Sequence, residues 1–103
     1  MTEAQFRFTA APDGDSPCVV AVGDIDLANV AEFQDVMATA VGDAPSLTVD
    51  LAAVTYCDSA AVRALFAVAA ATKLTMIVAS AGPIRTLLGI SGLDRVATVI
   101  AKE

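Results

Sequence analysis

Two kinds of apolar periodicity alternate along this chain, and their order restricts the available folds more than any other feature. Phe6 and Phe8 alternate with Arg7 and Thr9, and a second apolar run covers residues 18–22. The Pro12, Asp13, Gly14 stretch between them predicts a hairpin turn. Helical spacing then takes over: Val30, Phe33, Met37, Ala40 and Val41 fall on one face, behind a cap-like Asn-x-x-Glu pattern at Asn29 and Glu32. Gly42 and Pro45 end that helix. In residues 46–51, "SLTVDL", Leu47, Val49 and Leu51 share one side of a short strand. The alanine-rich segment after Asp58 places Val62, Leu65, Phe66 and Ala69 on one helical face, and "KLTMIVAS" is a further strand. Gly82 and Pro83 open a short helix carrying Ile84, Leu87 and Leu88, and "RVATVIAK" closes the chain as a strand.

Strand, strand, helix, strand, helix, strand, helix, strand is an α/β order. It predicts a mixed, mostly parallel sheet with an N-terminal antiparallel hairpin, because each helix between strands acts as a right-handed crossover. The chain is read as a single domain over residues 1–103, with no internal repeat, linker or low-complexity tail.

Composition narrows the function classes. Hydrophobic residues make up 56% of the chain, but many are alanines, which favour helix and close packing without a bulky aromatic core. The apolar stretch between Arg63 and Lys73 is far shorter than the roughly 20 residues that span a bilayer, so no direct membrane insertion is expected. Without an N-terminal apolar run the expected location is cytoplasmic. A net charge of −6 argues against nucleic acid, whose phosphates need a basic surface, and points to a protein partner. The charge is uneven: Arg7 is the one basic residue before Arg63, whereas Lys73, Arg85, Arg95 and Lys102 follow it. With no histidine, Ser-His-Asp and Cys-His chemistry is ruled out, and two cysteines cannot by themselves build a zinc site. No catalytic residue, metal or cofactor is expected.

In a parallel sheet, sites form at the carboxyl ends of the strands. Two acidic segments are expected there as loops: residues 23–26, "GDID", after the second strand, and residues 55–59, "TYCDS", after the third. Neighbouring strands would bring Asp24 or Asp26 near Asp58 and Ser59. Two readings of that pair stand open. Asp58 or Ser59 caps the helix, or Ser59 carries a phosphate favoured by helix N–H groups. The carboxylates likewise either gather a magnesium ion or are solvated loop residues.

The motifs together resemble a known family over nearly the whole chain. "VVAVGDIDLANVAEF" resembles the Gly-[Glu/Asp]-[Leu/Ile]-Asp element of single-domain STAS proteins of the anti-sigma factor antagonist type. "LTVDLAAVTYCDSAAVRAL" resembles their apolar strand followed by Asp-Ser-[Ser/Thr]-Gly, and "IRTLLGISGLDRV" their Leu-x-x-x-Gly-Leu element. The resemblance implies a non-enzymatic switch. Its unphosphorylated form binds an anti-sigma factor with a kinase-type ATP-binding domain and so releases a sigma factor. Phosphorylation of Ser59 abolishes binding, and a PP2C-type phosphatase restores it. The implied partner surface comprises Gly23, Asp24, Asp26, Asp58, Ser59, Ala60 and Ala61. The chain departs from the motif at Ala60 and Ala61, where a second hydroxyl residue and glycine are usual. An alternative from another class is a constitutive STAS subunit, such as that of a lipid-transport ABC ATPase.

Cys18 and Cys57 invite a redox reading, but opposite ends of parallel strands put them beyond disulfide reach, as two buried small hydrophobes in a reducing compartment. Ser16, Ser80 and Ser91 read as turn residues. Tyr56 either presents its ring to a partner or covers the core edge.

Overall fold

The computed structural model describes residues 5–9, 17–42, 44–80 and 82–102; the expected turn at residues 12–14 and Ser16 lie outside them. Its elements are β1 (Gln5–Thr9), β2 (Cys18–Ile25), α1 (Val30–Val41), β3 (Ser46–Cys57), α2 (Ser59–Ala71), β4 (Lys73–Ala79), α3 (Pro83–Ser91), α4 (Leu93–Val96) and β5 (Thr98–Lys102). They form one five-stranded sheet in the order β1-β2-β3-β4-β5, with β1 antiparallel to β2 and every other pair parallel. This is the α/β architecture the alternating periodicity predicts.

The order has a geometric consequence. Each crossover moves one strand further in the same direction, so right-handed connections place all the helices on one face of the sheet. Burial follows: Val19, Val49 and Met76 lie side by side across β2, β3 and β4, and all three are fully buried. On the other face Val20, Asp50 and Ile77 form the matching row and stay half-exposed.

α1 buries Val30, Phe33, Met37 and Ala40, as its spacing predicts. Phe33 stacks on Phe6 of β1 with centroids 5.1 Å apart, which fastens the antiparallel edge strand to the helical layer. The inward face of α2 differs from the expected one. Ala61, Ala64 and Leu65 point into the core, while Val62, Phe66 and Ala69 pack half-buried around it. Alanine at the point of closest approach lets the helix axis come near the sheet, and the larger side chains fill the flanks.

β3 is longer than the residues 46–51 expected from alternation, and its inward residues stop alternating after Leu51. Against β2 the register shifts between Val20 and Val22, and again between Gly23 and Asp24. At each shift β3 carries one extra residue. The inward positions therefore run Leu47, Val49, Leu51, Val54, Cys57, while β2 keeps strict alternation through Val19, Ala21, Gly23 and Ile25. Residues 55–57, expected in a loop, are strand. At the other end the expected last strand is trimmed. Gly92, at φ 86, ends α3 and turns the chain into α4, which takes Arg95 and Val96 and leaves β5 only Thr98–Lys102.

Candidate functional site

The two bulges set the geometry of the acidic end of the sheet. They bring Ile25 and Cys57, the last residues of β2 and β3, opposite one another, and the Asp58 N–H donates to the Ile25 carbonyl at 3.1 Å. Gly23 and Asp24, expected in a loop, belong to β2; the connection to α1 is a tight turn over residues 26–29.

That turn is held by its own side chains. The Asp26 carboxylate accepts from the Ala28 N–H at 3.0 Å, the Asx-turn geometry such a residue favours. Asn29 stands at the N-cap of α1 but makes no side-chain cap. Its amide faces backwards, accepting from the Asp26 N–H at 3.0 Å and donating to the Asp24 carbonyl at 2.8 Å. The expected capping box at Asn29 and Glu32 is thus replaced by a brace across the turn. The Asp24 carboxylate accepts from the Thr55 hydroxyl of β3.

Asp58 resolves which residue caps α2. Its Oδ1 accepts from the N–H groups of Ala60 at 2.9 Å and Ala61 at 3.1 Å. Its Oδ2 accepts from the Leu27 N–H at 2.9 Å, across 31 positions of sequence. Ser59 is the first residue of the helix and is exposed, and its hydroxyl makes no hydrogen bond to the described residues. Ala60 is half-buried; Ala61 and Gly23 are buried, so they shape the site from beneath and present no side-chain surface. Among the described residues no three potential metal-ligating side chains come together, since Asp24, Asp26 and Asp58 each turn to a different donor.

Leu27 and Tyr56 flank this end, 77% and 53% exposed. Of the two open readings, Tyr56 presents its ring outward. Leu27 was not singled out by periodicity; its signal is an apolar residue between Asp26 and the helix start with no partner in the helical pattern. Beneath them, burial pushes the Cys57 thiol up to about 12, and the Asp58 and Asp24 carboxylates add to the rise. A thiol held protonated is a poor nucleophile, so Cys57 acts as a core residue. Cys18 is half-buried rather than buried, at the opposite end of β2; burial and then Asp50 raise its pKa also. Both cysteines are free. Ser91, expected in a turn, is instead the last residue of α3, its hydroxyl donating to the Leu88 carbonyl at 3.2 Å. Among the described residues no helix is long and apolar enough to cross a membrane.

This fold has known relatives. The family model described as "Mlab, STAS domain" matches residues 8–100, and the chain belongs to the STAS domain family. An anti-sigma factor antagonist from Mycobacterium paratuberculosis superposes with a TM-score of 0.86 at 22% identity, over 97% of this chain and 87% of that one. The anti-sigma factor antagonist SpoIIAA in its unphosphorylated form gives 0.64 at 15% identity, over 96% and 90%. At such identities the likeness is one of fold. A comparison with curated proteins found no match.

Proposed function

We propose that this chain is an anti-sigma factor antagonist switched at Ser59. Unphosphorylated, it binds an anti-sigma factor that carries a kinase-type ATP-binding domain, and a sigma factor is released. The kinase moves the γ-phosphoryl group of ATP to the Ser59 Oγ, whose proton is lost as ADP leaves; a PP2C-type phosphatase later hydrolyses the ester to phosphate. The chain itself performs no chemistry, needs no cofactor and works in the cytoplasm.

The observation that carries this reading is the division of labour at the start of α2. Asp58 caps the helix, and the adjacent, exposed Ser59 hydroxyl engages none of the described residues. A serine needed as a cap would lose its bond on modification. Phosphorylation adds roughly −1.5 to −2 charges at pH 7 beside Asp58 and the Asp26 turn. A partner that docks on this acidic end must then bury unpaired negative charge, which opposes binding without any refolding of the domain. Ser59→Ala should keep partner affinity and Ser59→Glu should weaken it; equal affinities by calorimetry would sink the switch.

A second reading is favoured by the family model itself, described as Mlab. It is a permanent subunit of a lipid-transport ABC ATPase. Stable co-purification with such an ATPase, and an intact mass free of phosphate in the native host, would select it.

A further inference from the structure

Asp58 does more than cap a helix, because its two oxygens serve different parts of the molecule. Oδ1 holds the first N–H groups of α2, and Oδ2 holds the Leu27 N–H of the turn before α1. The backbone of Asp58 is fixed as well, through its N–H on the Ile25 carbonyl and its carbonyl, which accepts from the Val62 N–H at 3.1 Å. The bond to Leu27 is the exposed member of this set. It joins residues that no helix or strand ladder connects, and it fixes the turn that carries the most exposed apolar side chain at this end of the sheet.

We propose that Asp58 is a positioning residue that couples the state of Ser59 to the placement of Leu27. The proposal rests on the reading of Ser59 as the modified residue. A phosphate on Ser59 would stand next to the Asp58 carboxylate. Free helix-start N–H groups attract a phosphate strongly, and here Oδ1 already occupies those of Ala60 and Ala61. The dianion therefore competes with Oδ1 for these donors and repels the whole carboxylate. Asp26 and Asp24 in the facing turn and strand add to the repulsion, and Arg63, one helical turn along α2, is the described cation of that helix. Displacement of the carboxylate breaks the Oδ2 bond and releases the Leu27 turn. Phosphorylation then acts on a partner twice, through added charge and through loss of a held apolar anchor.

The two oxygens can be separated by substitution. Asp58→Asn keeps a carbonyl oxygen for Ala60 and Ala61 but turns an NH2 group toward the Leu27 N–H, so the cap survives and the tie does not. Amide proton NMR of four proteins tests this: the unmodified chain, the chain with phosphoserine installed at position 59 during translation, Asp58→Asn and Asp58→Ala. The Leu27 amide is expected to shift upfield and to exchange with solvent about tenfold faster in the three altered proteins than in the unmodified chain, the scale of one charge-assisted hydrogen bond. In Asp58→Asn the Ala60 and Ala61 amides should stay protected, whereas Asp58→Ala should expose them too. A Leu27 amide unchanged in Asp58→Asn, or changed there but unmoved by phosphoserine, would overturn the coupling. The measurement uses the isolated chain, so a native protein that never carries phosphate would overturn the switch function and leave the coupling result standing.

Discussion

α2 and α3 both start where a parallel strand ends, at the same end of the same sheet, and they start in opposite ways. α2 is capped by a side chain, Asp58, that also reaches across to the turn before α1. α3 has no side-chain cap: Gly82, at φ 131 and ψ 178, redirects the chain, Pro83 enters the first turn, and the Thr86 N–H closes on the Gly82 carbonyl at 3.4 Å. No side chain accepts from the first N–H groups of α3; the side chains there donate instead, the Thr86 hydroxyl to the Gly82 carbonyl at 3.2 Å and the Arg85 guanidinium to the Ser80 carbonyl at 3.0 Å, while a carboxylate with two allegiances shapes α2. A helix start without an accepting side chain can hold a fold together but has no carboxylate that ties it to a second turn and that a neighbouring charge could displace. The start of α2 offers one.

Perturbing each start in turn can break this contrast. The largest effect is expected at Ser59: Ser59→Glu should lower affinity for the proposed anti-sigma partner by about a hundredfold, the scale of an unmatched charge at an interface, with folding stability nearly unchanged. A comparable loss from changes at Gly82 would remove the distinction between the two helices. Next comes Gly82→Ala. Among the described residues, no atom outside Gly82 and its chain neighbours stands within 4 Å of the added Cβ, so backbone strain alone should cost about 1–3 kcal/mol in urea unfolding, with partner affinity kept. Asp58→Ala should cost about 0.5–2 kcal/mol as a lost cap and should also change partner affinity, a double effect that Gly82→Ala lacks. The smallest effect sharpens the account of Cys57. With its pKa raised to about 12, almost no thiolate exists at pH 8, so iodoacetamide should modify Cys18 well before Cys57 in the folded chain. Asp58→Ala removes one of the carboxylates that raise the Cys57 thiol, so it should speed Cys57 labelling even where the start of α2 stays closed.

Much of this was legible in the residues. The order of periodicities predicts the mixed sheet, and the inward faces of α1 and of the first half of β3 follow from spacing alone. The acidic segments were also legible as the end of the molecule where Asp24, Asp26, Asp58 and Ser59 meet. Periodicity failed where the backbone departs from regular geometry. β3 reads as a short strand because Leu51, Val54 and Cys57 are three residues apart, a spacing that belongs to neither a flat strand nor an uninterrupted helix face. Asn29 and Glu32 match a cap pattern, yet the tight turn gives the Asn29 amide nearer partners, the Asp26 N–H and the Asp24 carbonyl, and these win.

The sequence by itself determined the order of the strands and of the three longer helices, the apolar faces of α1 and of the first half of β3, and which residues carry charge or hydroxyl at the end of β3. Those properties are local, because side-chain period and turn chemistry act over a few neighbouring residues. Only the tertiary structure decided which of two adjacent polar residues would cap the helix. It also decided that the same carboxylate would hold a backbone N–H 31 positions away. That choice depends on two bulges levelling the ends of β2 and β3, and a register between strands is a property of the assembled sheet rather than of either strand.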